Sequence, residues 1–249
     1  MPKRTSRSVK PKPRSKTRII KPVAIEQPRD PVDFQPTLLM REIKITRPNQ
    51  ISYFKSITNK IVTFGLGPAG TGKSFMALWY ASKLLSENKI NRLIVTRPLE
   101  QCGGDKLGYM PGDFSNKMSQ PMRPVIDILE LFFSALDIHR LLEIDKLRIA
   151  SLGYMRGSSY KDTVVVVDEA QNCSDKQLNM LLTRMDYGSK LIFSGDEKQS
   201  DIGNCPPLVE KVNRLMNPTQ LDNIGLVRFT RDDNMRPDFV RQVCERLDI

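Results

Sequence analysis

The stretch that most constrains this chain is GLGPAGTGKS, Gly65–Ser74, which follows the apolar run IVTF. Its Gly-x-x-x-x-Gly-Lys-Ser spacing lies between a predicted strand and a predicted helix, the setting in which backbone N–H groups wrap around phosphates. We expect Lys73 to reach the β- and γ-phosphates and the Ser74 hydroxyl to bind Mg²⁺. The expected phosphate-binding residues are Gly67, Pro68, Ala69, Gly70, Thr71, Gly72, Lys73 and Ser74.

Two acids come directly after four consecutive valines in TVVVVDEAQN. Charged residues are seldom placed at the end of a buried strand unless a partner compensates them. We expect Asp168 to hold the water shell of Mg²⁺ and Glu169 to orient or deprotonate the attacking water. The alternative is a strand that simply reaches the surface at an acidic turn.

The segment SGDEKQSD ends a further predicted strand and carries Asp196 and Gln199. In open α/β folds, ligands bind at the edge formed by the carboxyl ends of the strands. We therefore expect Gln199 to contact the γ-phosphate and the water, with a polar turn as the alternative. Thr96 and Arg97 end another strand on that edge, where they could sense phosphate, meet a nucleic-acid backbone or cap the turn.

Gln50 precedes the first core strand. Its side-chain amide both donates and accepts hydrogen bonds, so it could recognise the edge of adenine. The alternative for Gln50 is an ordinary surface glutamine. Tyr53, one helical turn later, is interpreted as a packing residue and not as a ring that stacks on the base.

The order of the predicted elements indicates an α/β fold with a mainly parallel sheet flanked by helices. Short strands are predicted at IVTFGL, RLIVTRP, TVVVVDEAQN, KLIFSGD and LVRFT. Helices are predicted within 46–59, from Lys73 to Asn88, over 125–143, over 174–188 with Ser174 as N-cap and Gly188 as stop, at LVEKVNRLM and from Pro237. Residues 99–124, rich in Gly, Pro and Met, predict a long loop or insertion.

Basic charge is concentrated at the N-terminus of a chain with a net charge of +11, because residues 1–30 hold 10 basic residues, 2 acidic residues and five prolines. Such a segment buries too little apolar surface to offset its ordering entropy. We predict a disordered basic, proline-rich tail over 1–35 and a folded domain over 36–249. Three roles stay open for the tail. It could be a solubilising arm, an arm that contacts nucleic acid or an acidic partner, or a transit peptide.

The sequence has no apolar run of about 18 residues and no signal-peptide core. We therefore expect no membrane partner and a cytoplasmic location. The four cysteines are widely separated, and the single histidine, His139, lies in an amphipathic stretch. Metal binding by cysteine or histidine is therefore not expected.

In this order, the motifs resemble the PhoH family of phosphate-starvation-inducible P-loop ATPases, over roughly residues 46–245. They are NQISYF, GPAGTGKS, TRP, KLGYMPGD, QPMRPVIDIL, IASLGYMRG, VVVVDEAQN, LTRM, SKLIFSGDEKQSD and MRPDFV. The resemblance implies a three-layer, RecA-like P-loop NTPase domain, related to the core of superfamily 1 helicases, with ATP and Mg²⁺ as ligands. Short members are widespread in bacteriophage genomes, so the resemblance is compatible with a viral source; if the source is viral, the expected location is the host cytoplasm.

The resemblance also raises the question of which arginine neutralises charge on the γ-phosphate. Ser158 stands where the family carries a second arginine after MRG, and MRPDFV keeps Arg236 but lacks the family's histidine. Arg236 therefore joins Lys73, Glu169 and Gln199 in the expected catalytic set. Two-domain helicases supply an arginine from a second motor domain, for which we expect a chain of 249 residues to be too short.

We therefore expect a homo-oligomer, a hexameric ring, in which a neighbouring subunit supplies the arginine in trans. The candidates within the matched motifs are Arg123, Arg156, Arg184 and Arg236.

Two functions stay open at this point. The first is an ATPase that couples hydrolysis to action on RNA or single-stranded DNA, as a helicase does. The alternative is an ATP-gated regulatory or assembly module that does not translocate on nucleic acid. A small-molecule kinase is disfavoured, because kinases typically lack the GDxxQ element found in SGDEKQSD.

Overall fold

The computed structural model describes residues 34–98, 114–155, 159–199, 207–217 and 221–247. Contacts divide the chain after Asp33, and Phe34–Ile249 is one compact unit. Nearly all of the predicted tail, 1–35, lies outside the described residues. Its last two residues belong to the folded unit: the guanidinium of Arg140 lies 4.5 Å from the Phe34 ring centroid, and Gln35 Nε2 donates to the Ser86 carbonyl at 2.6 Å.

Strands and helices alternate along most of the described chain. The strands are β1 (Val62–Leu66), β2 (Arg92–Arg97), β3 (Leu147–Ser151), β4 (Thr163–Val167), β5 (Lys190–Gly195) and β6 (Ile224–Arg228). The helices are α1 (Pro48–Asn59), α2 (Lys73–Ser86), α3 (Phe114–Leu129), α4 (Ala135–Glu143), α5 (Asp175–Leu182), α6 (Pro207–Met216) and α7 (Asp238–Leu247).

The described strands form one sheet in the order β3-β2-β4-β5-β1-β6, and every pair is parallel. The predicted α/β fold with a parallel sheet is therefore confirmed. β5 lies between β1 and β4, with Leu66 opposite Gly195 and Val167 opposite Phe193. Because all strands run in the same direction, their carboxyl ends meet at one edge.

Helices pack through apolar side chains on both faces of the sheet, so the fold has three layers. In β4, Val164 and Val166 pack with α1 to α4 on one face, whereas Val165 and Val167 pack with α5 and α6 on the other. This alternation follows from the period of two along a strand. Tyr53 is fully buried and packs edge-on against Phe229, as predicted for a packing residue.

The predicted loop over 99–124 is wrong in its described part, because residues from Phe114 onward form α3. Pro121 and Pro124 lie inside this helix, although proline removes a backbone donor there. Met122, Val125 and Leu129 are buried on one face, and this packing outweighs the proline cost. Residues 99–113 lie outside the described part.

The single helix predicted over 125–143 is also wrong, since α3 ends at Leu129 and α4 begins at Ala135. Phe132 and Phe133 are buried in the intervening turn. Ser134 has extended backbone angles and its hydroxyl accepts the backbone N–H of Asp137 at 3.1 Å, which caps α4.

Two smaller differences concern a missed strand and the end of a helix. β3 was not predicted, and it joins the sheet as the neighbour of β2. α5 is capped by Ser174 as predicted, but it ends at Leu182 and not at Gly188, which lies in a later turn with a φ of 73°.

Within the described residues, no helix is long and apolar enough to cross a membrane.

Replacing Ser134 tests the break between α3 and α4. We expect Ser134→Ala to lower the free energy of unfolding by about 1 kcal/mol, because the Asp137 N–H loses its acceptor. Urea denaturation measures the change. Ser134→Asp, which keeps a capping oxygen, should unfold near the wild-type midpoint; equal stability of the alanine and aspartate variants would contradict the capping role.

Candidate nucleotide-binding site

Glycine backbone angles shape the loop between β1 and α2. Gly67, Gly70 and Gly72 have φ values of 134°, 81° and 87°, a region that side chains disfavour. A Cβ on Gly67 would also collide with the Phe229 carbonyl oxygen. The loop is therefore held against the segment after β6 and leads directly into the N-terminus of α2, a setting that favours an anion.

Lys73 begins α2 and is nearly buried. Its Nζ donates to the carbonyls of Gly67 and Pro68 at 2.6 and 2.7 Å, and to Thr71 Oγ1 at 3.2 Å. Burial lowers the pKa of Lys73 to about 8, and the carboxylates of Asp196, Glu169 and Asp168 partly oppose that shift. Thus Lys73 places its amino group across the inside of the loop.

Ser74 connects the loop to the acid at the end of β4. Its Oγ donates to Asp168 Oδ1 at 2.6 Å and lies 2.8 Å from Ser194 Oγ on β5. Since the one Ser74 proton goes to the carboxylate, the Ser194 hydroxyl donates to Ser74. Asp168 is nearly buried, and burial raises its pKa while the Ser74 hydrogen bond lowers it.

Glu169 lies beside Asp168 in a left-handed backbone conformation, with a φ of 52°. Arg97 from the end of β2 contacts both acids: Nε lies 3.2 Å from Asp168 Oδ2, and a terminal nitrogen lies 2.9 Å from Glu169 Oε1. The second oxygen of Glu169 accepts from Gln171 Nε2 at 2.7 Å. Both carboxylates therefore have defined partners.

A cleft of about 250 Å³ joins these groups at the carboxyl edge of the sheet. Asp196 and Gln199, expected on this edge, both line the cleft, and Gln199 is exposed. Further lining comes from Gly67, Ala69, Gly70, Gly72, Lys73, Ser74, Phe75, Ile128, Asp168, Glu169, Ser194 and Gly195. A larger surface groove of about 470 Å³ lies between residues 35–41 and the end of α2 and is lined by none of the predicted site residues.

Gln50 is buried, so the alternative of a surface glutamine is wrong. Its Nε2 donates to the Thr71 carbonyl at 3.2 Å, and its Oε1 accepts the backbone N–H of Arg47 at 3.3 Å. Gln50 therefore supports the loop directly. Its predicted contact with adenine stays a prediction.

Arg236 lies against the loop of its own subunit. A Cβ added to Gly70 would lie 2.8 Å from Arg236 Nε, and Met235 donates its backbone N–H to the Gly70 carbonyl at 2.9 Å. Arg236 and Pro68 line a small pocket of about 80 Å³ that also includes Gln199. Nearby, Asn49 Nδ2 donates to Asp233 Oδ2 at 2.8 Å, which ties α1 to the segment before Arg236.

The sequence did not reveal the contacts that three residues make in the site. Ser194 is a polar residue inside the apolar strand KLIFSG, and that contrast was a usable signal. Gln171 belongs to DEAQN, but nothing in the pattern reveals that it contacts Glu169 and the backbone of Asp196. Arg97 was singled out, yet its pairing with both acids requires knowledge of the strand order.

The donor set fits Mg²⁺. Ser74 and Asp168 offer a hydroxyl and a carboxylate oxygen, and this ion is usually held by one or two carboxylates together with substrate phosphates. Among the residues that the structure describes, no cluster of three or more His, Cys, Asp or Glu side chains could form an all-protein metal cage. Arg156 and Ser158 lie outside the described residues. Ser158 is the residue that stands where the family carries a second arginine.

The family model for PhoH, described as PhoH-like protein, matches residues 42–248. The chain belongs to the PhoH-like family. Its PhoH-like relatives include a protein of Synechocystis sp., 45% identical over 79% of this chain and 59% of the relative, and one of Bacillus subtilis, 34% identical over 84% and 65%. Protein PhoH of Escherichia coli K12 is 35% identical over 90% of this chain and 60% of its own.

This PhoH-like chain spans about three fifths of the length of those relatives. Among solved structures, the large terminase of a thermophilic bacteriophage matches with a TM-score of 0.50 and 14% identity, over 82% of this chain and 50% of the terminase. That likeness concerns the fold. Together with the family and the phosphate-binding loop, it supports a P-loop NTPase.

Buried Lys73 and half-buried Lys190 give a matched test of the PhoH-like site. We expect Lys73→Ala to lower the affinity for ADP with Mg²⁺ by about 100-fold or more, because a charge-assisted phosphate contact is lost. Lys190 instead donates to the Thr58 and Lys60 carbonyls. Lys190→Ala should destabilise the fold but leave affinity unchanged, as followed by fluorescence titration; equal losses of affinity in both variants would contradict the assignment.

Proposed function

We propose that this chain binds ATP and hydrolyses it in an Mg²⁺-dependent reaction. The observation that carries the proposal is the 2.6 Å hydrogen bond from Ser74 to Asp168, which joins the phosphate-binding loop to the acids at the end of β4. Glu169 lines the same cleft, next to Lys73 and Gln199. These groups match the parts that a P-loop hydrolase requires.

In this reaction each residue has a separate task. Lys73 and the loop N–H groups bind the phosphates, and Ser74 with Asp168 would hold Mg²⁺, which would supply positive charge to neutralise the phosphates. Glu169 orients the attacking water and accepts its proton. Gln199 reports the γ-phosphate, Arg236 contacts it from the other side of the loop, and Gln50 recognises adenine.

We further propose that hydrolysis is coupled to action on RNA or single-stranded DNA. The net charge of +11 supports a polyanionic partner, and residues 1–30 carry most of it. An ATP-gated module that does not translocate would have the same nucleotide site, so the two functions separate only by their response to nucleic acid.

Turnover with and without nucleic acid tests these two proposals together. We expect phosphate release from ATP to rise several-fold on adding RNA or single-stranded DNA, and Glu169→Gln to lower turnover by about 100-fold while nucleotide binding persists. Phosphate release is measured at fixed Mg²⁺, with EDTA as control.

Each possible result has a defined meaning. Wild-type turnover in Glu169→Gln would show that Glu169 does not act on the water. Turnover that nucleic acid leaves unchanged would favour the ATP-gated module. Transfer of phosphate to an added small-molecule acceptor would indicate a kinase.

A hexameric ring with an arginine supplied in trans is our proposal for the assembled enzyme. Arg236 touches its own Gly70, so it is assigned to its own subunit's site. Arg123 remains a candidate for the trans role, because it is exposed on α3 and pairs there with Asp127. Arg184, which has interactions within its own subunit, and Arg156 are the other candidates.

Subunit mixing tests the ring. We expect native mass measurement with ATP to show six subunits. Mixing Lys73→Ala subunits with Arg123→Ala subunits should restore part of the turnover, because some interfaces then combine an intact loop with an intact arginine. A monomer both with and without ATP would contradict the ring, and mixtures without recovery would exclude Arg123 as the trans arginine.

A further inference from the structure

Arg97 joins three groups from two parts of the fold: the two adjacent acids after β4 and a carbonyl of α3. Its Nε lies 3.2 Å from Asp168 Oδ2, and one terminal nitrogen lies 2.9 Å from Glu169 Oε1. The other terminal nitrogen donates to the Pro121 carbonyl on α3 at 2.8 Å. The Arg97 side chain is only 17% exposed, and its planar guanidinium holds these contacts in one rigid fork.

Glu169 depends on side-chain partners for its position, because its own side chain is 43% exposed. Arg97 binds one carboxylate oxygen and Gln171 binds the other at 2.7 Å. Gln171 is itself buried and accepts the backbone N–H of Asp196 at 3.0 Å. Each carboxylate oxygen can accept a second hydrogen bond, so these contacts orient Glu169 and still leave room for a water.

The third contact of Arg97 reaches the turn of α3 that holds Pro121 and Pro124. Proline removes helical hydrogen bonds, so α3 is held less tightly by its own backbone in this turn than elsewhere. Farther along, Ile128 of α3 lines the cleft. A shift of α3 would therefore change both the wall of the cleft and the position of Arg97.

We propose that Arg97 is a positioning residue, which sets the place of the Glu169 carboxylate and makes that place depend on α3. The inference rests on the proposed hydrolysis of ATP. Arg97 acts through Glu169 and does not need to touch the nucleotide. Turnover then responds to the position of α3 without any change in the phosphate-binding loop.

The test compares full-length Arg97→Met and Arg97→Lys with Arg92→Met, a control on the same strand whose side chain pairs with Asp145. Arg97→Met should lower kcat about 100-fold while the affinity for ADP with Mg²⁺ changes by no more than about threefold. Arg97→Lys keeps the charge but not the fork, so it should bind normally and recover little turnover. Arg92→Met should behave as wild type.

Hydrogen exchange supplies a readout that does not use turnover. Arg97→Met should speed amide exchange in residues 122–129 several-fold, because the Pro121 carbonyl loses its contact with β2. Glu169→Gln should have a smaller effect in the same direction, because it weakens the Arg97 ion pair. The double variant Arg97→Met/Glu169→Gln should exchange no faster in residues 122–129 than Arg97→Met alone, since Glu169 affects α3 only through Arg97.

Several results would overturn the proposal. These are unchanged or raised turnover in Arg97→Met, a loss of turnover matched by an equal loss of affinity, full recovery by Arg97→Lys, or additive exchange effects of the two substitutions. Failure of the proposed function is distinct, because a wild-type chain without ATP turnover would be inactive before any substitution. The exchange measurements would then still decide whether Arg97 links Glu169 to α3.

Discussion

The parallel pairing of β5 with both β1 and β4 is the constraint on which the site depends. Leu66 lies opposite Gly195, and Val167 lies opposite Phe193, so the three strands end within a few residues of one another. This register places Ser194 between the loop that follows β1 and the acids that follow β4. Apolar packing on both faces of the sheet holds the register, since a slip of one residue would move every side chain of a strand to the opposite face.

Lys73 lines the cleft with the acids, whereas Arg97 contacts the acids without lining the cleft. Lys73 directs its hydrogen bonds to carbonyls of the loop, whereas Arg97 pairs with Asp168 and Glu169. A buried charge is costly unless its hydrogen bonds are satisfied, and this division satisfies both cations by different means. The lysine keeps the shape needed for phosphates, and the arginine orients the two acids.

The sequence predicted the fold class and most of the cleft, because both depend on short-range patterns. A strand, a glycine-rich loop and a helix are local, and so is a run of valines that ends in two acids. The break between α3 and α4 was not predicted, because apolar residues continue through the turn at Phe132 and Phe133. The contacts of Ser194 with Ser74, of Gln171 with Asp196 and of Arg97 with both acids were also beyond prediction, since strand order brings these residues together.

The loop is held from both directions along the chain. Gln50, shortly before it, bonds to Thr71, while Met235, more than 160 residues later, bonds to Gly70. Asn49 and Asp233 connect these two supports. During synthesis, the glycine-rich segment leaves the ribosome long before its second support exists. Contacts of such high sequence separation form late and slowly. The loop should therefore acquire its final shape late in folding, and a nascent chain should gain affinity for nucleotides only after the segment around Met235 has been made.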